Sequence, residues 1–329
     1  MIKNFFLVTI GLLVIAYAGL WYLNTRVYPI EYGISFSHPY ATSLGLDWKK
    51  TYLAIVNELQ PKYLRIGVEW NEVEPEPGKF NFANIDFMLA EAAKNKTKVV
   101  LAVGQKVPRW PECYFPAWFA NSENKEAAIF NYLTTTVERY KNHPALELWQ
   151  VENEPYIPFD FGVCHDFNPQ LVAQEIELVR KLDSQHKILV TDSGELSTWR
   201  KAMNAGDLFG TTLYRTVSGP MGWYFNYDWV PASFYYVKAK LFNRPLSEMF
   251  VAELQAEPWF AGTGPLNTPA SESEKTMNPE RLQKHFDLVK HTGMSRAYVW
   301  GAEWWYLMKE KNNDARYWDV AEKNFLVKK

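Results

Sequence analysis

Lys98-Val99-Val100-Leu101-Ala102-Val103-Gly104 decides the fold class. Its apolar run leaves no polar side to face water. A strand reads this way when both faces are covered, as in a parallel sheet flanked by helices. The neighbouring segments repeat the theme. Glu31–His38 and Tyr63–Trp70 read as short apolar strands, separated by a helix over Asp47–Gln60. Asn84–Asn95 and Asn124–Tyr140 read as helices. The second brings Ile129, Tyr132, Leu133, Val137 and Tyr140 near one face.

Glu147–Glu154 reads as a fourth strand, with a helix over Pro169–Asp183 after it. Lys187–Asp192, Leu208–Tyr214, Met249–Leu254 and Arg296–Trp300 read as the remaining strands. Helices are expected over Thr198–Ala205, after Asn278-Pro279, and over Asp314–Phe325. Asn278 is suited to N-cap its helix, Pro279 to start it and Gly293 to end it. Gly219–Leu246 is long and aromatic and reads as a loop with one helix. Sustained strand–helix alternation implies a parallel sheet with right-handed crossovers. The expected fold is α/β, a single (β/α)8 TIM barrel over residues 27–329, with chemistry at the C-terminal ends of its strands.

Residues 1–26 stand apart. Phe5–Leu23 is an uncharged, mostly apolar run between Lys3 and Arg26, long enough to cross a bilayer. Ala16-Tyr17-Ala18 also fits the small-x-small pattern of a cleaved signal peptide. The apolar character continues through Leu20-Trp21-Tyr22-Leu23, which favours an uncleaved anchor. The expectation is a single-pass protein whose barrel lies outside the cytoplasm, or a secreted one if cleavage occurs near Ala18.

The chain has 329 residues and a net charge of −2, giving no electrostatic case for nucleic-acid or anionic-membrane binding. Aromatic residues reach 16%, with 14 Trp. A core accounts for some; flat apolar rings also suit sugar faces. The two cysteines, Cys113 and Cys164, each follow an expected strand and are disulfide candidates. The His residues lack metal-ligand spacing, so no metal or cofactor is expected. Oligomeric state is left open.

Two carboxylates carry the chemistry. Glu154 closes Trp149-Gln150-Val151-Glu152-Asn153-Glu154-Pro155, and Glu253 lies in Met249-Phe250-Val251-Ala252-Glu253-Leu254-Gln255. A Glu within an apolar strand needs a partner or a function. Arg65, inside Tyr63-Leu64-Arg65-Ile66-Gly67-Val68, is suited to balance Glu253, and Tyr214 to donate to it. Taken singly, each is better read as a satisfied core residue. Taken together, they set one charged carboxylate beside one protonated one.

Trp149-x-x-x-Asn153-Glu154-Pro155, with Glu253 on the seventh strand, resembles clan A of the retaining glycoside hydrolases, the cellulase and β-galactosidase-like barrels. Arg65 to Phe80, with its Arg, Trp and acidic-Pro-x-x-Gly-aromatic run, is similar to the strand-2 region of several members. Gln150–Glu154 is similar to galactosidase-like members. A strand-6 His-x-Tyr pair has no match, because Thr212 stands at the His position.

The resemblance implies Glu154 as acid/base, Glu253 as nucleophile and Asn153 as a ligand of the sugar 2-hydroxyl. It implies that Arg65 and Tyr214 hold the nucleophile and that Trp300 lines the subsite of the cleaved sugar. Trp70 and Trp304 are expected to extend the substrate surface. Glu152, two residues before Glu154, is expected on the same strand face. With Glu257 and Glu303, it is expected to support the site rather than react. The implied activity is retaining hydrolysis of an oligo- or polysaccharide. Transfer to a sugar acceptor and glycan binding without turnover are the alternatives; aromatic acceptor subsites in Trp223–Tyr236 would favour transfer.

Overall fold

The computed structural model describes residues 2–158, 162–219, 223–260 and 264–326, with side chains from residue 4 onward. The ends of the expected segments 1–26 and 27–329, and positions 220–222 of the aromatic stretch, lie outside the described residues.

Eight parallel strands close into a barrel. They are β1 (Glu31–Phe36), β2 (Tyr63–Gly67), β3 (Lys98–Val103), β4 (Leu146–Val151), β5 (Lys187–Asp192), β6 (Leu208–Leu213), β9 (Met249–Gln255) and β10 (Arg296–Trp300). Two short antiparallel strands, β7 (Thr216–Ser218) and β8 (Tyr224–Asn226), form a hairpin after β6. That hairpin was not foreseen: its strands are shorter than the periodicity a sequence can display. Helix Ser233–Leu241 follows it, within the stretch expected to hold one helix.

Two apolar layers hold the barrel. Outside the strands, residues such as Val99, Leu101, Trp149, Val251 and Val299 pack under the helices. Inside, Tyr63, Val100, Leu148, Leu189, Leu208, Phe250 and Tyr298 close the floor. Asn278 accepts from the Arg281 amide, capping the helix Pro279–Leu288 as expected. Ala302–Lys311, directly after β10, is a further helix that the sequence reading missed.

The N-terminal helix runs from Ile2 to Leu23. Its Asn4–Leu23 portion has a mean hydropathy of 2.1 and is not buried against the rest of the chain. By length and composition it is a candidate membrane or signal segment.

Candidate active site at the barrel mouth

Glu253 reaches the mouth because β9 carries one extra residue. Against β6 the pairing passes from Thr211↔Val251 to Thr212↔Glu253, skipping Ala252. Against β10 it passes from Ala297↔Val251 to Val299↔Leu254. Val251 and Leu254 both pack outward, so alternation alone would have sent Glu253 out with Val251. A bulge here re-aims the side chain into the barrel.

Inside, Glu253 is almost fully buried. Arg65 Nη1 donates to its Oε1 at 2.9 Å, and the Tyr214 hydroxyl to its Oε2 at 2.9 Å. Arg65 also donates from Nε to Gln150 Oε1 at 2.7 Å and from Nη2 to Asn153 Oδ1 at 2.7 Å. This fork fixes the guanidinium in one plane, so the buried carboxylate meets a rigid cation. Burial and the Glu253 charge hold the Tyr214 phenol well above its ordinary range, which keeps it a donor.

Strand β4 ends at Val151, three residues short of the expected end. Glu152 and Glu154 then both adopt left-handed backbone, with φ of 63° and 47°. Spacing by two therefore no longer means a shared face, and the expectation for Glu152 is corrected. Its carboxylate instead accepts from the backbone amides of Gln105 at 2.6 Å and Lys106 at 2.8 Å. It anchors the loop after β3. Gly104, at φ 132°, admits it: a Cβ there would lie 2.2 Å from Glu152 Oε1.

Glu154 is placed differently. Its backbone N–H donates to Thr191 Oγ1 at 3.0 Å, which pins the main chain. The side chain is 5% exposed, yet Oε1 has no hydrogen-bond partner. Burial, then the Glu253 charge, raises its pKa well above the ordinary carboxylate range. The mouth thus holds one carboxylate with two donors and one with an unpartnered oxygen and a raised pKa. Unequal environments for two neighbouring acids separate their roles.

On the opposite rim, Arg109 bridges two more acids. It donates to Glu257 and, at 3.2 Å, to Glu303. Its guanidinium lies 3.8 Å from the Tyr40 ring centroid and 4.1 Å from that of Trp300. One face of Trp300 is thereby taken by a cation. Tyr40 also donates to Glu257 at 2.9 Å. Glu257 and Glu303 therefore serve as partners of Arg109, in keeping with their expected supporting place. Nothing local in the sequence singled out Arg109, whose partners lie 148 and 194 positions away.

Two expected substrate residues are corrected. Trp70 is 1% exposed, stacks on Tyr132 and donates to Glu74 at 2.7 Å. Trp304 sits on the unforeseen helix Ala302–Lys311 and packs on Tyr317. The cavity it lines, with Pro265 and Leu307, shares no residue with the carboxylate pair. Helical backbone turned both rings into the core, where strand geometry was assumed for one and a loop for the other.

A second unpartnered pair lies past β1 and β2. His38 Nδ1 is 3.6 Å from Glu69 Oε2, and neither side chain makes a hydrogen bond. Burial pushes His38 down to about 4 and Glu69 up to about 8, so near neutral pH they are not an ion pair. Cys113 and Cys164, from the loops after β3 and β4, are joined in a disulfide.

Comparison with known proteins finds similar sequences and similar barrels. Residues 47–130 match the model of glycoside hydrolase family 42, beta-galactosidase. Beta-galactosidase Pbg of Clostridium perfringens is 33% identical over 136 residues, covering 34% of this chain and 20% of that protein. The chain thus spans a fifth of that relative's length. The beta-galactosidase of the haloarchaeon Halorubrum lacusprofundi superposes with a TM-score of 0.59 at 14% identity, over 90% of this chain and 57% of that one. A family 10 endo-beta-1,4-xylanase from Gloeophyllum trabeum gives 0.58 at 16%, over 91% and 97%. The chain shares its barrel with clan A glycoside hydrolases and part of its sequence with the beta-galactosidases among them.

Proposed function

We propose that the chain is a retaining β-glycosidase, with Glu154 as general acid/base and Glu253 as nucleophile. The observation that carries this reading is the unpartnered, buried Oε1 of Glu154 beside a Glu253 gripped by Arg65 and Tyr214. In the first step Glu154 gives its proton to the leaving oxygen as Glu253 attacks the anomeric carbon. The glycosyl–Glu253 ester then reacts with water, which yields its proton to Glu154. Retention follows from the two displacements and calls for carboxyls about 5–5.5 Å apart. In this reading Asn153, held by Arg65, binds the hydroxyl next to the anomeric carbon.

We further propose that the N-terminal helix is an uncleaved anchor and that the barrel works outside the cytoplasm. The Cys113–Cys164 disulfide supports an oxidising compartment.

The test is turnover of a panel of aryl β-glycosides and β-linked glucan, mannan and galactan oligosaccharides, with Glu253→Gln alongside. Cleavage by the wild type alone, with retained anomeric configuration by NMR, is the expected result. Inversion, or equal cleavage by the variant, would reject the assignment.

A further inference from the structure

The N-terminal helix is tied to the barrel along its last two turns. The Tyr17 hydroxyl donates to the Trp229 carbonyl at 2.8 Å. Ser233 Oγ donates to the Leu20 carbonyl at 2.6 Å, and the Ser233 amide to Asn24 Oδ1 at 3.0 Å. Below these, Tyr28 stacks on Tyr236, and the Tyr28 amide donates to the Lys290 carbonyl at 2.8 Å.

These contacts fix a direction. The segment from Thr216 to Glu248 leaves β6 at the mouth and enters β9 at the floor. Trp229 therefore lies toward the mouth, and Lys290, just before β10, toward the floor. As the chain advances from Tyr17 to Tyr28 it descends from the mouth level to the floor level. Traced backward, the apolar residues before Tyr17 extend past the mouth.

The helix also fixes a depth. Tyr17 precedes Leu23 by six residues, about 9 Å of helix rise. A bilayer core of about 30 Å needs roughly 20 apolar residues, which is the whole Asn4–Leu23 portion. Ending the core at Tyr17 would leave the span too short. The loop bonded to Tyr17 is thereby brought against the bilayer.

That loop region is built for such a place. Trp223, Phe225 and Trp229 are exposed on this segment, and Tyr17, Trp21 and Tyr22 on the helix; Trp229 is the one bonded to Tyr17. Aromatic rings of this kind concentrate at membrane interfaces. Its exposed acid, Asp228, is paired with Arg281 at 3.1 Å and Arg215 at 3.7 Å. We infer that Trp223, Phe225 and Trp229 seat the β6–β9 segment on the phospholipid bilayer, so that the barrel mouth opens toward the membrane surface. This rests on the proposed anchor. With the proposed activity, it directs Glu154 and Glu253 at glycans carried close to the bilayer rather than at free polymer. The aromatic stretch, which as sugar acceptor subsites would have favoured transfer, becomes a lipid contact.

The test uses the full chain in phosphatidylcholine–phosphatidylglycerol nanodiscs. Nitroxide labels go singly on Phe225→Cys, Trp229→Cys, Leu12→Cys and, at the start of β5, Lys187→Cys; the native cysteines are bonded to each other. Relaxation by oxygen against a water-soluble nickel chelate reads depth. Interfacial values at 225 and 229, a hydrocarbon value at 12 and an aqueous value at 187 are expected. Aqueous values at 225 and 229 with a hydrocarbon value at 12 would overturn the seating and leave the anchor. An aqueous value at 12 would overturn both.

Discussion

Among the described residues, two Arg–Glu pairs lie inside the barrel, one at its floor and one in the proposed site at its mouth. At the floor, Arg296 makes a bidentate bridge to Glu147 at 2.9 and 3.0 Å. It bonds the Tyr298 hydroxyl at 3.0 Å and lies over the Tyr63 ring at 3.4 Å. None of these polar atoms lacks a partner. At the mouth, Arg65 holds Glu253 just as firmly, yet Glu154 beside them is unpartnered. A buried ion pair is weak evidence for function, since both sites have one. What separates them is a second acid beside the mouth pair, with a buried and unpartnered oxygen.

The sharpest break of that contrast is turnover. Glu253→Gln is expected to lower kcat about 10⁴-fold or more, as loss of a nucleophile does. Glu147→Gln should leave kcat within about threefold, because binding and chemistry are at the other end of the barrel. Equal loss in a folded Glu147→Gln protein would erase the distinction between the two pairs.

Glu154→Gln is expected to cost roughly 10²–10⁴-fold on substrates with poor leaving groups. With a dinitrophenyl glycoside, which needs no proton at departure, the loss in the first step should shrink. The pH profile carries the sign. With Glu154 as the proposed acid, kcat/KM is expected to fall as pH rises through its raised pKa. An alkaline limb that persists unchanged in the variant would assign the titration elsewhere.

Stability should invert the ranking. Glu147→Gln is expected to cost roughly 1–3 kcal/mol, discounted for the partial exposure of Glu147, because it leaves Arg296 uncompensated. Calorimetry at one pH, with rates in parallel, checks it. No drop in Tm would mean that the aromatic rings alone hold Arg296.

The smallest effect concerns Glu69. Its folded pKa is raised from 4.5 to about 8. The protonated form therefore favours the fold fully below about pH 4.5, and this contribution is lost as pH rises through about 8. Glu69→Gln removes the titration. The variant should gain roughly 1–2 kcal/mol on the wild type between pH 5 and 9, less than the full shift because buried sites relax. A Tm difference that is flat with pH would show that Glu69 titrates normally.

Much of the barrel was legible because it is written in local periodicity. The apolar run Lys98–Gly104 and the Asn278-Pro279 start required only neighbouring residues. Arg65, Tyr214, Asn153 and Glu253 stood out as polar groups in apolar strands or at strand ends, and the structure joins them. Gln150 carried a weaker signal: it alternates with Leu148, which faces the barrel interior. Trp70, Trp304 and Glu152 were misplaced where the backbone left strand geometry, and no single-residue cue marks that departure.

The sequence by itself determined the strand–helix alternation and the apolar N-terminal span, and it singled out the two acids proposed here as catalytic. These follow from composition and spacing over a few residues, which backbone periodicity turns into faces. Tertiary structure decided which acid is compensated and which is not. Arg65 meets Glu253 across 188 positions, and Arg109 meets Glu303 across 194. The bulge that turns Glu253 inward exists only as a mismatch between β9 and its two neighbours. Partnership and register are properties of pairs of segments, so only the closed barrel could fix them.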